Sequence, residues 1–158
     1  MIEIVIKMKD GGVIKAELYP NIAPITVANF LNLVDQKFFD GLIFHRVIAG
    51  FMIQGGGYAE NMNHNDAESI KGEFDANGFK NDLKHERGVL SMARTSFPNS
   101  ASSQFFIMHK DSPHLDGKYA AFGKVTEGMD VVDRIANAKT NFADAPLEPQ
   151  VIESIRFN

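Results

Sequence analysis

Hydrophobic and polar residues alternate along the start of the chain. Ile2, Ile4, Ile6 and Met8 interleave with Glu3, Val5, Lys7 and Lys9, and Ile14, Ala16 and Leu18 interleave with Lys15, Glu17 and Tyr19. A period of two is that of a strand with one buried face, and Asp10-Gly11-Gly12 between the runs is turn chemistry, so a hairpin is predicted. From Pro24 the period changes. Val27, Phe30, Leu31 and Val34 recur at i, i+3, i+4 and i+7, which predicts a helix with a proline in its first turn. A second helix is predicted from about Met129 to Ala138, with Val131, Val132, Ile135 and Ala138 as its apolar stripe and Asp130 near its positive end. Tyr58 to Asp82 is polar and glycine-containing and reads as a long surface excursion. Strands at both ends, many short apolar segments between them and two helices favour an antiparallel sheet closed on itself.

Composition narrows the picture without supplying chemistry. With 158 residues, 44% of them hydrophobic, the chain is one domain long, residues 1–158, and can bury a core. A net charge of −4 gives no electrostatic footprint for nucleic acid. With no cysteine there is no disulfide framework, thiolate metal site or cysteine nucleophile, which fits a reducing, cytoplasmic setting. No stretch approaches membrane-spanning length, and the N-terminal apolar run is too short and too acidic for a signal peptide.

The chemistry concentrates in Phe44-His45-Arg46-Val47-Ile48-Ala49-Gly50-Phe51-Met52-Ile53-Gln54-Gly55-Gly56-Gly57. One arginine and one glutamine stand among large apolar residues, the composition of an apolar pocket with a few aimed donors. If Arg46 to Gln54 runs extended and Ala49-Gly50 introduces no bulge, Arg46, Ile48, Met52 and Gln54 share one side, and the guanidinium points into a groove floored by Met52 and Phe51. The three glycines permit a tight turn or close backbone approach. His45 is expected on the opposite side of the strand, as a hydrogen-bonded structural histidine.

This stretch closely resembles the signature of the cyclophilins, the peptidyl-prolyl cis-trans isomerases, and is nearest to their bacterial-type members. Gly88-Val89-Leu90-Ser91-Met92-Ala93, Ser103-Gln104-Phe105-Phe106-Ile107, Leu115-Asp116-Gly117-Lys118 and Phe122-Gly123-Lys124-Val125 follow in the family's order and at close to its spacing. The resemblance spans nearly the whole chain. It implies a mainly β fold, a closed antiparallel eight-stranded barrel capped by two helices, with a substrate groove on the outer wall. It implies a monomer that needs no cofactor or metal and acts on proline-containing peptides and unfolded or flexible protein segments. Arg46, Gln54, Phe51 and Phe106 match the catalytic positions. Met52, Leu115, Ala93, Arg94, Gln104, His114 and Tyr119 match substrate-binding ones, with Ala93 and Arg94 in the stretch whose backbone pairs with the peptide and Gln104 at the border of an adjacent pocket.

Three departures from the better-known eukaryotic pattern stand out. His114 occupies a position where tryptophan is frequent, which implies weak binding of cyclosporin-like macrocycles. Tyr119 stands where many members place histidine. Arg94 to Ser103 is one residue longer than the common eukaryotic form.

Other chemistries fare worse. His45, His64, His85, His109 and His114 show no H-E-x-x-H or short paired spacing, so a metal-dependent hydrolase is disfavoured. Ser91, Ser102 and Ser103 lack the G-x-S-x-G context of a nucleophile elbow. Glu60 stands where a nucleotide-binding glycine fingerprint needs its third glycine. A module that merely holds proline-containing peptides is the alternative from another class, and an intact Arg46 and Gln54 pair favours the enzyme over it. Of the 13 phenylalanines, Phe51 and Phe106 are assigned to the site and most others to the core.

Overall fold

The computed structural model describes residues 1–158. The predicted hairpin is present: β1 (Ile2–Met8) pairs antiparallel with β2 (Val13–Leu18), and Ile4, Ile6, Ile14, Ala16 and Leu18 are buried on one face. Helix α1 (Pro24–Asp35) begins on Pro24 and buries Val27, Phe30, Leu33 and Val34. Its N-terminus has no side-chain cap of its own. The buried carboxylate of Glu73 takes that role, accepting from the amides of Ile25 (3.2 Å) and Thr26 (2.6 Å) and from the Thr26 hydroxyl (2.7 Å). The excursion from Tyr58 to Asp82 is therefore not wholly on the surface, because Gly72, Glu73 and Phe74 are buried within it.

The remaining strands are β3 (Arg46–Ile48), β4 (Met52–Gly55), β5 (Val89–Met92), β6 (Phe105–Met108), β7 (Ala121–Glu127) and β8 (Ile152–Phe157), with helix α2 at Met129–Ala136. The second helix stops two residues short of the predicted Ala138, and Ala136 takes the buried place. All eight strands form one antiparallel sheet in the order β3-β4-β6-β5-β7-β2-β1-β8. The end strands β3 and β8 do not pair directly. The barrel closes through irregular chain, where Ile43 bridges Val151 and the Phe44 amide donates to the Gln150 carbonyl.

Alternation sorts side chains between two apolar clusters. Val47, Ile53, Leu90, Phe105 and Ile107 point into the barrel, where Phe30, Phe39, Phe44, Phe105 and Phe122 pack ring against ring at centroid distances of 5.0 to 5.9 Å. Met52, Val89, Phe106 and Met108 point outward and join Leu115 and Ala121 in a second, smaller cluster. Every residue of β5 and β6 is buried, because these strands are covered on both faces. The outer cluster is the floor of the groove.

Candidate active site

Arg46 and Gln54 do not lie along one extended strand. Gly50, at φ 80°, turns the chain between β3 and β4, so the segment is a hairpin in which Arg46 pairs with Gln54 and Ile48 with Met52. The expected shared face survives for a different reason: residues directly opposite in an antiparallel pair project to the same side. The same register places Gln54 opposite Phe106, and Phe106 opposite Ser91. A straight row thus crosses four strands on the outer wall, from the cation at the sheet edge through the Phe106 ring to Ser91.

Nine side chains line one groove: Arg46, Phe51, Met52, Gln54, Ala93, Arg94, Phe106, Leu115 and Tyr119. All nine are among the residues assigned to the site from sequence. The other two lie beside it. Gln104 borders an adjacent depression that it shares with Gln54, Ala93 and Arg94, and His114 is exposed at the rim with its ring 5.7 Å from that of Phe51.

The polar atoms are sparsely but directionally tied. Arg46 Nη1 donates to Gln54 Oε1 at 3.4 Å, and Gln54 Nε2 donates to Gln104 Oε1 at 3.0 Å. No carboxylate pairs with Arg46. Its weakly held guanidinium keeps donors for a ligand. The glycine run makes room for this chain of bonds: a Cβ on Gly57 would stand 2.5 Å from the Gln104 side chain, and one on Gly55 2.7 Å from the Ile43 carbonyl. The Ala93 amide donates to the Gln104 carbonyl at 3.0 Å, while the Ala93 carbonyl and the Arg94 amide make no hydrogen bond within the chain.

Arg94 is more than a solvated charge. Its guanidinium lies over the rings of Phe74 (4.6 Å) and Tyr119 (4.8 Å) and donates to the carbonyls of Lys118 and Thr95. Tyr119 in turn stands edge-on to Phe106 at 5.8 Å. The position of Tyr119 beside the groove is therefore set by an arginine 25 residues earlier in the chain.

Behind Phe106 lies an arrangement that sequence patterns did not expose. The buried His85 ring stacks on Phe106 at 6.1 Å, with Nε2 2.8 Å from Ser91 Oγ and Nδ1 3.1 Å from Asp116 Oδ1. Burial pushes the imidazole below its ordinary pKa, against the pull of Asp116. A neutral ring donating from Nδ1 to Asp116 accepts the Ser91 hydroxyl at Nε2. The order Asp-His-Ser is that of a hydrolytic triad, yet Ser91 is wholly buried, so no substrate carbonyl reaches it. These three residues support the floor. They are 6 to 31 positions apart, and no short motif signals them.

His45 corrects an expectation. Its ring packs on Tyr58 at 4.6 Å, but its Nδ1 is buried with no hydrogen-bond partner. Burial first, then the charges of Arg46 and His64, push its pKa down to about 4. It stays neutral at physiological pH because burial and the neighbouring Arg46 charge both disfavour its cation.

The sequence model of the cyclophilin type peptidyl-prolyl cis-trans isomerases matches residues 3–157. A peptidyl-prolyl cis-trans isomerase of Acinetobacter baylyi is 47% identical, over 96% of this chain and 84% of its own length. Peptidyl-prolyl cis-trans isomerase B of Escherichia coli is 43% identical, over 91% of this chain and 93% of its own. Among solved structures, a Cryptosporidium parvum cyclophilin superposes with a TM-score of 0.85 at 29% identity, covering 99% of this chain and 97% of that one. The same kind of protein crystallised in the presence of the dipeptide Ala-Pro gives a TM-score of 0.84 at 30% identity. The chain belongs to the cyclophilin-type peptidyl-prolyl cis-trans isomerases. It is an isomerase of that class.

Proposed function

We propose that this isomerase binds X-Pro segments with the proline ring on Phe51, Met52, Phe106 and Leu115, and that Arg46 stabilises the amide in its twisted state. Rotation about an X-Pro bond must break amide resonance, a barrier of about 20 kcal/mol, and no covalent bond is cleaved. As the amide twists, its nitrogen regains a lone pair and becomes a better hydrogen-bond acceptor than in either planar form. A guanidinium N–H aimed at that nitrogen therefore binds the transition state more tightly than the ground states, which is what lowers the barrier. A 10⁵-fold acceleration requires about 7 kcal/mol at 1.36 kcal/mol per decade. One charge-assisted hydrogen bond supplies about 1.5 to 3 kcal/mol. Desolvation and orientation supply the remainder.

The observation that carries this reading is the cross-strand pair of Arg46 and Gln54 beside the apolar floor that holds Phe106. Gln54 steers the guanidinium, and the partner-free Ala93 carbonyl and Arg94 amide offer backbone pairing to an extended peptide. The clients that fit are flexible or unfolded segments, since an X-Pro bond must enter the groove extended, and the biological role is assistance to protein folding. We read residues 1–158 as one isomerase unit that acts as a monomer in the cytoplasm, without cofactor or nucleic-acid partner. Titrating 15N-labelled protein with a short X-Pro peptide tests the site. Shift changes centred on Arg46, Phe51, Gln54, Ala93 and Phe106, absent with an X-Ala peptide, are expected. Changes confined to another face would refute it.

A further inference from the structure

We infer that His109 is a positioning residue for the active site: it holds the β3–β4 turn, and with it Phe51, by accepting a hydrogen bond from the Gly50 amide. The Gly50 N–H donates to His109 Nδ1 at 2.8 Å. The other ring nitrogen, Nε2, stands 3.1 Å from Asp133 Oδ1 on α2. A ring that accepts at Nδ1 carries its proton on Nε2 and donates it to the carboxylate, so Asp133 selects the tautomer that can receive Gly50.

Asp133 is itself fixed. Arg87 grips it in a bidentate pair at 2.7 and 2.8 Å and holds its carboxyl below the usual range. The same guanidinium donates to the His109 carbonyl at 2.9 Å, and the Arg87 amide donates to Asp111 at 2.7 Å. Helix α2, the entry to β5 and the end of β6 thereby converge on one imidazole.

The output of this relay is the turn. Gly50 has the left-handed φ of 80°, and the next residue is Phe51, whose carbonyl accepts from the His109 amide at 2.9 Å. One residue thus holds the turn at two points, the Gly50 amide by its side chain and the Phe51 carbonyl by its backbone. Without the side-chain acceptor, the Gly50 amide turns to water, and the hairpin tip that carries the Phe51 ring into the groove keeps only its backbone anchors, the Phe51 amide on the Ile48 carbonyl and the Phe51 carbonyl on the amides of His109 and Lys110. Arg46 sits at the far end of the same hairpin, secured by strand pairing, and is less affected.

The inference rests on Phe51 forming part of the proline-binding floor, and the test separates the two. Phe51 contacts planar and twisted proline alike, so loosening it is expected to raise KM more than it lowers kcat. Steady-state kinetics on a short X-Pro peptide should show His109→Leu raising KM by about three- to tenfold, the worth of one hydrogen bond, with kcat within about twofold of the unmodified protein. A purely structural role would lower the active fraction, and thus apparent kcat, at unchanged KM. In His109→Asn the amide oxygen stands close to where Nδ1 was, so KM and the Gly50 amide 1H shift should both return toward their original values. In unmodified 15N-labelled protein, a scalar coupling across the Gly50 N–H···Nδ1 bond is expected, which needs no variant to fold. An unchanged KM in His109→Leu, no recovery in His109→Asn or absence of the coupling overturns the inference. Phe51→Ala is the reference: a raised KM there beside an unchanged one in His109→Leu leaves the pocket standing and removes the relay, whereas an unchanged KM in both removes the pocket as well.

Discussion

Gln54 donates from Nε2 to Gln104 Oε1 at 3.0 Å, and that bond decides which end of the Gln54 amide faces Arg46. With the amino group committed to Gln104, the carbonyl oxygen is the atom presented to the guanidinium at 3.4 Å. In the proposed mechanism Gln104 therefore acts through two intermediaries, Gln54 and Arg46, although it lies outside the main groove.

Gln104→Ala should release the Gln54 amide to turn and leave Arg46 without a fixed acceptor. The expected loss in kcat/KM for a short X-Pro peptide is about two- to fivefold, the scale of one neutral hydrogen bond acting indirectly. Gln104→Glu, which retains an acceptor for Gln54 Nε2, should lose less. Equal losses in the two variants would show that the orientation of Gln54 is not what matters.

His114 stands at the rim with its ring 5.7 Å from that of Phe51, and it does not line the groove that holds Arg46 and Gln54. A tryptophan at this position adds an indole donor and a wider apolar face. His114→Trp should tighten a cyclosporin-like macrocycle by about ten- to a hundredfold, with little change in kcat/KM for a short peptide. Calorimetry and a peptide assay on the same preparations check both halves. Nanomolar binding by the unmodified chain, or no gain from the indole, would contradict the assignment of this rim.

The unpartnered His45 predicts how stability depends on pH. Its folded-state pKa, about 4, lies below the ordinary histidine value of 6.5 that applies in the unfolded chain. Between these limits the unfolded chain binds the proton and the folded one does not, so stability is complete above about pH 6.5 and declines as pH falls toward 4. His85, also pushed down by burial, adds in the same direction. Asp40 and Asp133, held low by Arg156 and Arg87, lose their contributions only in the more acidic carboxylate range. Urea unfolding at pH 7 and pH 4.5 should show a smaller free energy at the lower pH. His45→Phe, which keeps the ring against Tyr58, should narrow the difference and should not destabilise the protein at pH 7, because it removes a buried atom with no partner. An unaltered pH difference in His45→Phe would refute this account.

Local patterns carried much of this structure. Alternation in Ile2 to Leu18 specified a hairpin, and the three- and four-residue spacing after Pro24 specified a helix, because in both cases one buried face writes its period into the chain. The segment from Arg46 to Gln54 was legible as a shared face but not as a hairpin, since the glycine at position 50 is equally compatible with a strand and with the left-handed turn it makes. The contacts that complete the site were not legible. Glu73 caps a helix 47 residues earlier, Arg94 locks Tyr119, and Asp116, His85 and Ser91 stack beneath Phe106. Each is a side chain reaching a partner that only the folded sheet brings near, and neither partner's local sequence contains the other.

The central claim, that Arg46 acts on the twisted amide, is tested most directly by kcat/KM of Arg46→Ala on a short X-Pro peptide, measured by exchange NMR beside the thermal midpoint of the same sample. Arg46 is exposed at the sheet edge and forms no ion pair, so its removal should shift Tm by no more than about 2 °C. The loss of transition-state binding should lower kcat/KM at least about tenfold, equivalent to about 1.4 kcal/mol or more. Turnover like that of the unmodified protein in a folded Arg46→Ala variant would contradict the mechanism.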